Sequence, residues 1–271
     1  MKPVYEAWRK PRENMTAVSS LPQAMRIKAI EVENARTTTY VLDGALHGAV
    51  PGQFVMAWLP GIDERPFSLA DADPVRLTIA AVGPFSREIG RLRVGKRLWL
   101  RGPLGRGYVL PEQPGHALLI GGGYGVAPLK FLAQRLLVSG HSVSMIIGAR
   151  SASDLLLTEA VARLGVSLWT TTEDGSAGLQ GLVTDAVTPA LAAAGGQDTT
   201  VYACGPTGML QAVAGLCSQQ RLPFQLSWEA HMRCGIGLCG SCEIGAGWLT
   251  CLDGPVFDFD PFERVSWDKI R

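Results

Sequence analysis

Four cysteines near the C-terminal end of the chain restrict what it can build more than any other feature of the sequence. Cys234, Cys239 and Cys242 are separated by four and two residues, and Cys251 follows after eight more. Four thiolates at this spacing can surround two sulfide-bridged iron atoms, because each iron takes tetrahedral sulfur coordination. The spacing therefore predicts a 2Fe-2S site with these four side chains as ligands.

The residues between the cysteines favour the same interpretation. Gly235, Gly237, Gly240 and Gly245 allow backbone conformations in which amide N–H groups face the sulfur atoms. The first three cysteines match the spacing of plant-type ferredoxins. A zinc site, which usually pairs two short cysteine motifs, and a disulfide knot are the alternatives. The pattern fits an iron-sulfur loop better than either of them.

Length and composition set the number of units. At 271 residues the chain is long enough for two domains, whereas the cysteine-rich segment is too short to bury a core of its own. The sequence is 47% hydrophobic and 18% charged with a formal net charge of +1, which gives no electrostatic signature of nucleic-acid binding. Its longest uncharged stretches are interrupted by proline and glycine, so we expect no membrane span.

The two remaining cysteines help to predict the cellular compartment of the protein. Cys204 and Cys217 lie in unrelated contexts and do not form the paired framework of a secreted protein. The basic N-terminus is not followed by the apolar run of a signal peptide. We therefore expect a cytoplasmic protein. Residues 1–22 are polar and predict a loosely ordered extension.

Three regions follow this extension. Residues 23–112 contain short β-prone segments between turns, which predicts a small antiparallel β-barrel. Residues 113–226 alternate apolar strands with helical segments, which predicts an α/β domain with a doubly wound parallel sheet. Residues 227–271 would form the C-terminal 2Fe-2S module. The predicted strands are 25–32, 38–42, 53–59, 75–82 and 96–100 in the barrel and 117–120, 143–147, 166–169, 200–203 and 224–227 in the sheet, and the predicted helices are 126–139, 153–164, 184–194 and 208–220.

A glycine-rich turn connects the first predicted strand of the sheet to its first helix. It contains Gly121, Gly122, Gly123 and Gly125. Backbone N–H groups and the positive end of the helix dipole can accept a pyrophosphate at such a turn. The alternative is a tight connection with no ligand, so the turn predicts nucleotide binding only together with other motifs.

Five short motifs, each an ordinary turn or strand end when taken alone, supply that context. They are Arg65-Pro66-Phe67-Ser68, Val82-Gly83-Pro84-Phe85-Ser86, Gly102-Pro103-Leu104-Gly105, the glycine turn through Pro128, and Cys204-Gly205-Pro206. Taken together and in this order, they resemble the ferredoxin-reductase superfamily. The resemblance covers residues 24 to about 225. It implies a barrel that binds FAD, followed by a domain that binds a nicotinamide nucleotide.

The resemblance also implies roles for single residues. Arg65 would bind the FAD phosphates, and Ser68 would lie near the reactive flavin nitrogen. Gly83 and Ser86 would hold the pyrophosphate, with Ser86 where many members have threonine. The implied cofactor-binding residues are Arg65, Pro66, Phe67, Ser68, Gly83, Ser86, Gly102, Gly121, Gly122, Gly123, Gly125, Gly205 and Pro206.

Cys204 is the catalytic candidate, since by resemblance it would border the nicotinamide ring. The sequence gives an independent reason, because Cys204 ends a strand at the carboxyl edge of the sheet and the Gly205-Pro206 pair lets a flat ring approach the backbone. A buried structural cysteine is the alternative. Arg150 would favour a 2′-phosphate and Asp154 a ribose diol, so NAD rather than NADP is implied by the resemblance alone.

The cluster loop narrows the family. Residues 173–185, 227–242 and 251–257 resemble the electron-transfer subunit of class 1B dihydroorotate dehydrogenase. This resemblance implies an oxidoreductase subunit that passes electrons through the 2Fe-2S cluster and FAD to NAD+ in pyrimidine biosynthesis. The electrons would come from a catalytic dihydroorotate dehydrogenase subunit that carries FMN, in a heterotetramer of two copies of each subunit.

Two other functions remain open at this point. Electron-transfer subunits of hydrogenases and sulfite reductases share much of the cluster loop, so the chain could serve one of these or a ferredoxin-dependent complex. A zinc-clipped binding module on a reductase scaffold is the other alternative. Iron and flavin content would exclude the binding module, and dihydroorotate-dependent NAD+ reduction would separate the redox partners.

Overall fold

The structure is a computed structural model that describes residues 21–262. The predicted extension, residues 1–22, lies outside the described residues except for its last two positions. Seven strands form the first unit. They are β1 (Gln23–Val32), β2 (Thr37–Leu42), β3 (Phe54–Leu59), β4 (Asp63–Ser68), β5 (Asp71–Ala72), β6 (Val75–Ala80) and β7 (Arg97–Leu104).

These strands form one curled antiparallel sheet in the order β4-β3-β7-β1-β2-β6-β5. The two ends of the sheet meet, since β4 lies against β6. Alternate side chains point inward, as β6 shows with buried Val75, Leu77 and Ile79 between half-buried neighbours. These residues belong to one apolar core. The predicted antiparallel barrel is confirmed.

Two elements of the barrel differ from the sequence prediction. The sequence places residues 65–68 at the end of a barrel strand but does not predict the bounds of β4, whose residues are half-buried at every position and show no alternation. A short helix, α1 (Pro84–Ile89), stands where we expected a turn. Pro84 is preorganised for the first helical position, and the Ser86 hydroxyl accepts a hydrogen bond from the Gly83 N–H at 2.9 Å. This local cap starts a helix without a long apolar period.

The second unit is a parallel sheet with helices on both faces. Its strands are β8 (His116–Gly122), β9 (Ser142–Ala149), β10 (Ser167–Thr172), β11 (Leu179–Gln180), β12 (Thr199–Cys204) and β13 (Phe224–Ser227), and its helices are α2 (Val126–Val138), α3 (Thr158–Ala162), α4 (Val187–Ala193) and α5 (Thr207–Gln220). The strand order is β11-β10-β9-β8-β12-β13. Helices α2 and α3 pack on one face, and α4 and α5 pack on the other. The predicted doubly wound sheet is confirmed.

Helix α3 is much shorter than the predicted helix over 153–164. Residues 152–154 form a 3-10 turn in which the Ser151 hydroxyl donates to the Asp154 carboxylate at 3.1 Å. Leu157 then adopts a φ of 57°, in the left-handed region. A residue in that conformation cannot continue a right-handed helix, so α3 begins at Thr158.

The C-terminal module contacts both other units. It contains β14 (Glu243–Ile244), β15 (Trp248–Leu249) and β16 (Val256–Phe257). β14 and β15 pair as a hairpin, whereas β16 pairs antiparallel with β13 and extends the nucleotide sheet. On its other side the module packs against β3 and β7 in a cluster made of Phe54, Met56, Leu104, Met232, Cys242 and Cys251.

Two aromatic residues hold the barrel against the sheet. Phe131 of α2 enters the barrel core and is 2% exposed. Tyr108 follows β7, and its N–H donates to the Pro51 carbonyl at 2.8 Å while its hydroxyl donates to the Ala203 carbonyl at 3.0 Å. These contacts fix how the two units face each other. Between residues 21 and 262, no helix has the length and hydropathy needed to cross a bilayer.

Candidate cofactor site and cluster loop

A cavity of about 250 Å³ lies where the barrel, the sheet and the module meet. The barrel contributes residues 66–68 at the end of β4, and the sheet contributes Cys204 at the end of β12. The module contributes Trp228 and Glu229, directly after β13. Strand pairing fixes the backbone at residues 66–68 and at Cys204, and directly before Trp228, so these residues are held around the cavity.

The nucleotide sheet reverses its strand order between β8 and β12. The glycine turn follows β8, and Cys204 ends β12, so both meet at this switch point. A Cβ atom on Gly125 would lie 2.3 Å from the Cys204 carbonyl oxygen, and one on Gly121 would lie 2.9 Å from Val126. Only glycine permits so close an approach. Ligands of doubly wound sheets bind at switch points of this kind.

Some of the other predicted residues at the switch point pack against a neighbouring side chain, and one faces open space. Gly122 and Gly205 both face Met209, whose side chain would lie 2.6 Å from a Cβ atom at either position. Pro206 would lie 3.1 Å from the same atom on Gly122. Gly123 has a φ of 55° and faces open space. Within the turn, Gly123 is thus the position at which a ligand can approach the backbone without displacing a neighbour.

Cys204 lines the cavity and is 4% exposed. Burial raises the pKa of its thiol to about 12, and the charge of Glu229 acts in the same direction, against a hydrogen bond with Ser227. The side chain is therefore a neutral thiol at neutral pH. It can pack against a ring, but it is not a thiolate nucleophile.

Two further residues lie on the same side of the cavity, and sequence reasoning missed both. The Tyr124 hydroxyl donates a hydrogen bond to Glu229 Oε2 at 3.3 Å. Burial raises the pKa of the Glu229 carboxyl, and burial together with Glu229 raises the pKa of Tyr124 to about 12. The available signal in the sequence was a tyrosine inside a glycine-rich turn.

Four predicted barrel residues lie outside the lining of the cavity. Arg65 forms an ion pair with Asp63, with Nη2 and Oδ2 2.6 Å apart and both side chains partly exposed. The Ser86 hydroxyl is occupied by the Gly83 backbone in the cap of α1. Gly102 lies against β3, where a Cβ atom would be 2.9 Å from a valine side chain. Arg65 can bind an anionic ligand that displaces the Asp63 carboxylate.

The cluster loop presents backbone donors to two of the four cysteine sulfurs. The N–H groups of Ile236 and Leu238 donate to Cys234 Sγ at 3.5 and 3.3 Å. The Gly237 N–H donates to Cys251 Sγ at 3.2 Å. Gly237 has a φ of 78°, a conformation that aims successive amides at one side of the loop and that favours glycine. Donors of this kind stabilise thiolates that bind a metal cluster.

The four cysteines lie in two adjacent pairs. Cys239 contacts Cys234, and Cys251 contacts Cys242. Hydrogen bonds, first from Ser241 and then from Cys234, lower the pKa of Cys239 to about 6, while burial and the Cys242 neighbour raise the pKa of Cys251 to about 12. Over residues 21–262, no three histidine, cysteine or carboxylate side chains converge on one ion position. Two pairs fit a centre in which each of two irons takes two cysteines.

Arg101 of β7 also reaches the cluster loop. Its Nη2 donates to the Cys234 carbonyl oxygen at 2.8 Å, and its guanidinium forms a two-point ion pair with Glu64 of β4 at 2.9 and 3.2 Å. Sequence reasoning missed this contact, because an arginine in an alternating strand looks like a solvated side chain.

Two family models match the chain. Residues 119–215 match the oxidoreductase NAD-binding domain. Residues 229–263 match the iron-sulfur cluster binding domain of dihydroorotate dehydrogenase B. The first range covers most of the parallel sheet, and the second covers the cluster loop.

Curated relatives match over most of their length. The two described here both carry the name "probable dihydroorotate dehydrogenase B (NAD(+)), electron transfer subunit". The relative from Thermococcus kodakarensis is 42% identical and spans 77% of this chain and 84% of its own length. The relative from Methanothermobacter thermautotrophicus is 35% identical and spans 91% of this chain and 92% of its own length.

Solved structures match the fold. A NADH-dependent reduced ferredoxin-NADP oxidoreductase, studied for flavin-based electron bifurcation, superposes with a TM-score of 0.78 at 27% identity over 90% of each chain. The flavohem-like FAD/NAD binding domain of nitric oxide dioxygenase from Vibrio cholerae superposes with a TM-score of 0.65 at 22% identity, over 76% of this chain and 98% of that domain. The second similarity concerns the fold alone.

Proposed function

The chain belongs to the family of dihydroorotate dehydrogenase B electron-transfer subunits, and from this we propose a division of work among its residues. It is an oxidoreductase subunit with FAD, a 2Fe-2S cluster and NAD as cofactors, and it delivers electrons from a catalytic dihydroorotate dehydrogenase partner to NAD+ in pyrimidine biosynthesis. The observation that carries the division is the cavity shared by barrel, sheet and cluster module.

The barrel residues bind FAD. Residues 66–68 hold the flavin in the shared cavity. Arg65, Gly83 and Ser86 lie outside the lining of this cavity, and their role in binding the flavin phosphates follows from the resemblance alone. Arg65 binds them by exchanging Asp63 for the anion, and a guanidinium forks a phosphate with two donors. Bound FAD supplies an acceptor that takes two electrons as hydride and exchanges single electrons with a cluster.

The sheet residues bind NAD. The glycine turn at the start of α2 supplies N–H groups to the pyrophosphate, with Gly123 open to the ligand. Cys204, Gly205 and Pro206 border the nicotinamide ring at the carboxyl ends of β8 and β12. Cys204 packs as a neutral thiol and excludes water from the ring.

The module residues bind the cluster. Cys234, Cys239, Cys242 and Cys251 would be its ligands, and loop amides donate to the sulfurs of Cys234 and Cys251. The catalytic partner carries FMN, and the complex contains two copies of each subunit. Both of these points follow from the resemblance of residues 227–242 and 251–257 to class 1B enzymes.

Anaerobic purification followed by iron, sulfide and FAD analysis tests this division. We expect about two irons and two sulfides per chain, as in a 2Fe-2S centre, together with FAD. Cys239→Ser should lose the cluster absorbance and keep FAD, with the flavin still bleached by NADH. Cys217→Ser changes a buried cysteine in α5. This variant should keep the cluster absorbance, the FAD and the bleaching of the flavin by NADH. A wild-type chain that holds zinc instead of iron would refute the cluster assignment.

A ferredoxin-linked partner is the second candidate. The structural match to a ferredoxin-NADP oxidoreductase, at 27% identity over 90% of both chains, favours it. The two candidates differ in one assay, since only the first predicts NADH formation from dihydroorotate when the dihydroorotate-oxidising subunit is added.

A further inference from the structure

Arg101 is held in a fixed position between the barrel and the cluster loop. The Glu64 carboxylate on β4 accepts hydrogen bonds from both Nε and Nη2 of the Arg101 guanidinium, at 3.2 and 2.9 Å. The same Nη2 donates to the carbonyl oxygen of Cys234 at 2.8 Å. The Arg101 side chain is 12% exposed and that of Glu64 is 26% exposed. The charged pair therefore lies mostly out of water, directly behind a cluster ligand.

The surroundings of the pair are apolar on the side of the cluster. Arg101 lies opposite Met56 in the pairing of β7 with β3. Met56 packs with Cys242 and Cys251, and a Cβ atom on Gly235 would lie 3.0 Å from it. Apolar side chains thus fill the space between this strand pair and the loop, although Arg101 and Glu64 also face an open pocket on the outer side of the barrel. Charges interact more strongly across such an apolar region than across solvent.

We propose that Arg101 and Glu64 form a charge pair by which the barrel sets the reduction potential of the cluster. This inference rests on the proposed function, because it presupposes a cluster on the four cysteines. Reduction adds one negative charge to the cluster, and a nearby cation stabilises the reduced state while a nearby carboxylate destabilises it. Arg101 touches Cys234 and Glu64 stands behind it, so the positive end of the pair faces the cluster.

An anaerobic redox titration of the FAD-loaded chain, with the reduced cluster detected by electron paramagnetic resonance, tests the proposal. At the wild-type midpoint potential, Arg101→Gln should lower the ratio of reduced to oxidised cluster about tenfold, which equals 59 mV for one electron. Glu64→Gln should raise the ratio. The midpoint potential of the double variant should lie between those of the two single variants. The midpoint potential of Arg101→Lys should lie closer to the wild-type value than that of Arg101→Gln.

Arg97→Gln is the matched control. It removes the same charge from the exposed start of β7, about 13 Å along the strand, and should leave the midpoint unchanged. Shifts of the two single variants in the same direction, as a loosened loop would give, would overturn the proposal, and so would unchanged potentials in loaded proteins. If Arg101→Gln does not retain its cluster, Glu64→Gln alone tests the proposal. A higher midpoint potential in Glu64→Gln supports the proposal, and a lower or unchanged potential overturns it. A wild-type chain without any cluster would instead refute the proposed function.

Discussion

The neutral state of Cys204 defines what this residue contributes. Because burial raises its pKa to about 12, the thiol is protonated at neutral pH. We expect Cys204→Ala to slow reduction of the bound flavin by NADH by about tenfold to a hundredfold, since a ring without its packing partner leaves the reactive distance. Rapid mixing with NADH, followed by flavin absorbance, measures this rate.

Truncation of a second buried cysteine to alanine is the control for Cys204→Ala. Cys217 is also fully buried, but it lies in α5 and away from the cavity. Cys217→Ala should therefore keep the rate of flavin reduction. A Cys204→Ala protein that holds FAD and is reduced as fast as wild type would show that Cys204 is a structural cysteine.

At the scale of elements, a buried histidine connects three strands of the parallel sheet. His116 of β8 has Nδ1 3.0 Å from the Thr199 hydroxyl in β12 and Nε2 2.9 Å from the Ser144 hydroxyl in β9. The Thr199 hydroxyl donates to the Gln197 carbonyl, so it accepts from Nδ1–H, and Nε2 accepts from Ser144. Burial lowers the pKa of His116. The folded sheet therefore holds the neutral ring.

This histidine should make the stability of the sheet depend on pH. The unfolded chain protonates His116 below about pH 6.5, while the folded chain keeps it neutral to lower pH. The stabilising contribution is complete above that value and is lost as the pH falls below it. It is on the order of 1 kcal/mol for each unit by which the pKa is lowered.

Urea unfolding at about pH 7.5 and about pH 5.5, on either side of the unfolded pKa, measures this contribution. The free energy of unfolding should fall more for wild type than for His116→Gln. His47→Gln, which changes an exposed histidine in a loop, should behave like wild type. An equal pH dependence of wild type and His116→Gln would contradict the prediction.

Elements with a clear period could be predicted from the sequence, and elements set by local caps or partners could not. Strands β8 and β12 are continuous apolar runs and lie close to their predicted bounds. Strand β4 lacks a period because neither of its faces is buried. It forms because β3 offers it a pairing partner along its full length, and such a partner is invisible in a local pattern. α1 depends in the same way on one serine cap.

At the scale of the whole molecule, sequence motifs predict candidate segments for the site but not how these segments meet. The cysteine spacing and the glycine turn are local and could be identified from residue types alone. The contacts of Glu229 with Tyr124 and of Arg101 with Cys234 join residues 105 and 133 positions apart. They arise because the module packs on both the barrel and the sheet. No local pattern records such packing.

The arrangement of the three units also explains why the chain works as a relay. One cavity touches the barrel, the switch point and the module, and the cluster loop rests on barrel strands β3 and β7. Cofactors held by the three units would thus be neighbours, because Phe131, Tyr108 and β16 connect these units.

The most direct measurement combines the purified chain with a dihydroorotate-oxidising catalytic subunit, dihydroorotate and NAD+ under anaerobic conditions and follows NADH by its absorbance. We expect NADH to form with wild type and its formation to be lost with Cys239→Ser, because electrons must pass the cluster to reach NAD+. If no NADH forms although NADH bleaches the flavin of the isolated chain, the chain is a reductase subunit for a different redox partner.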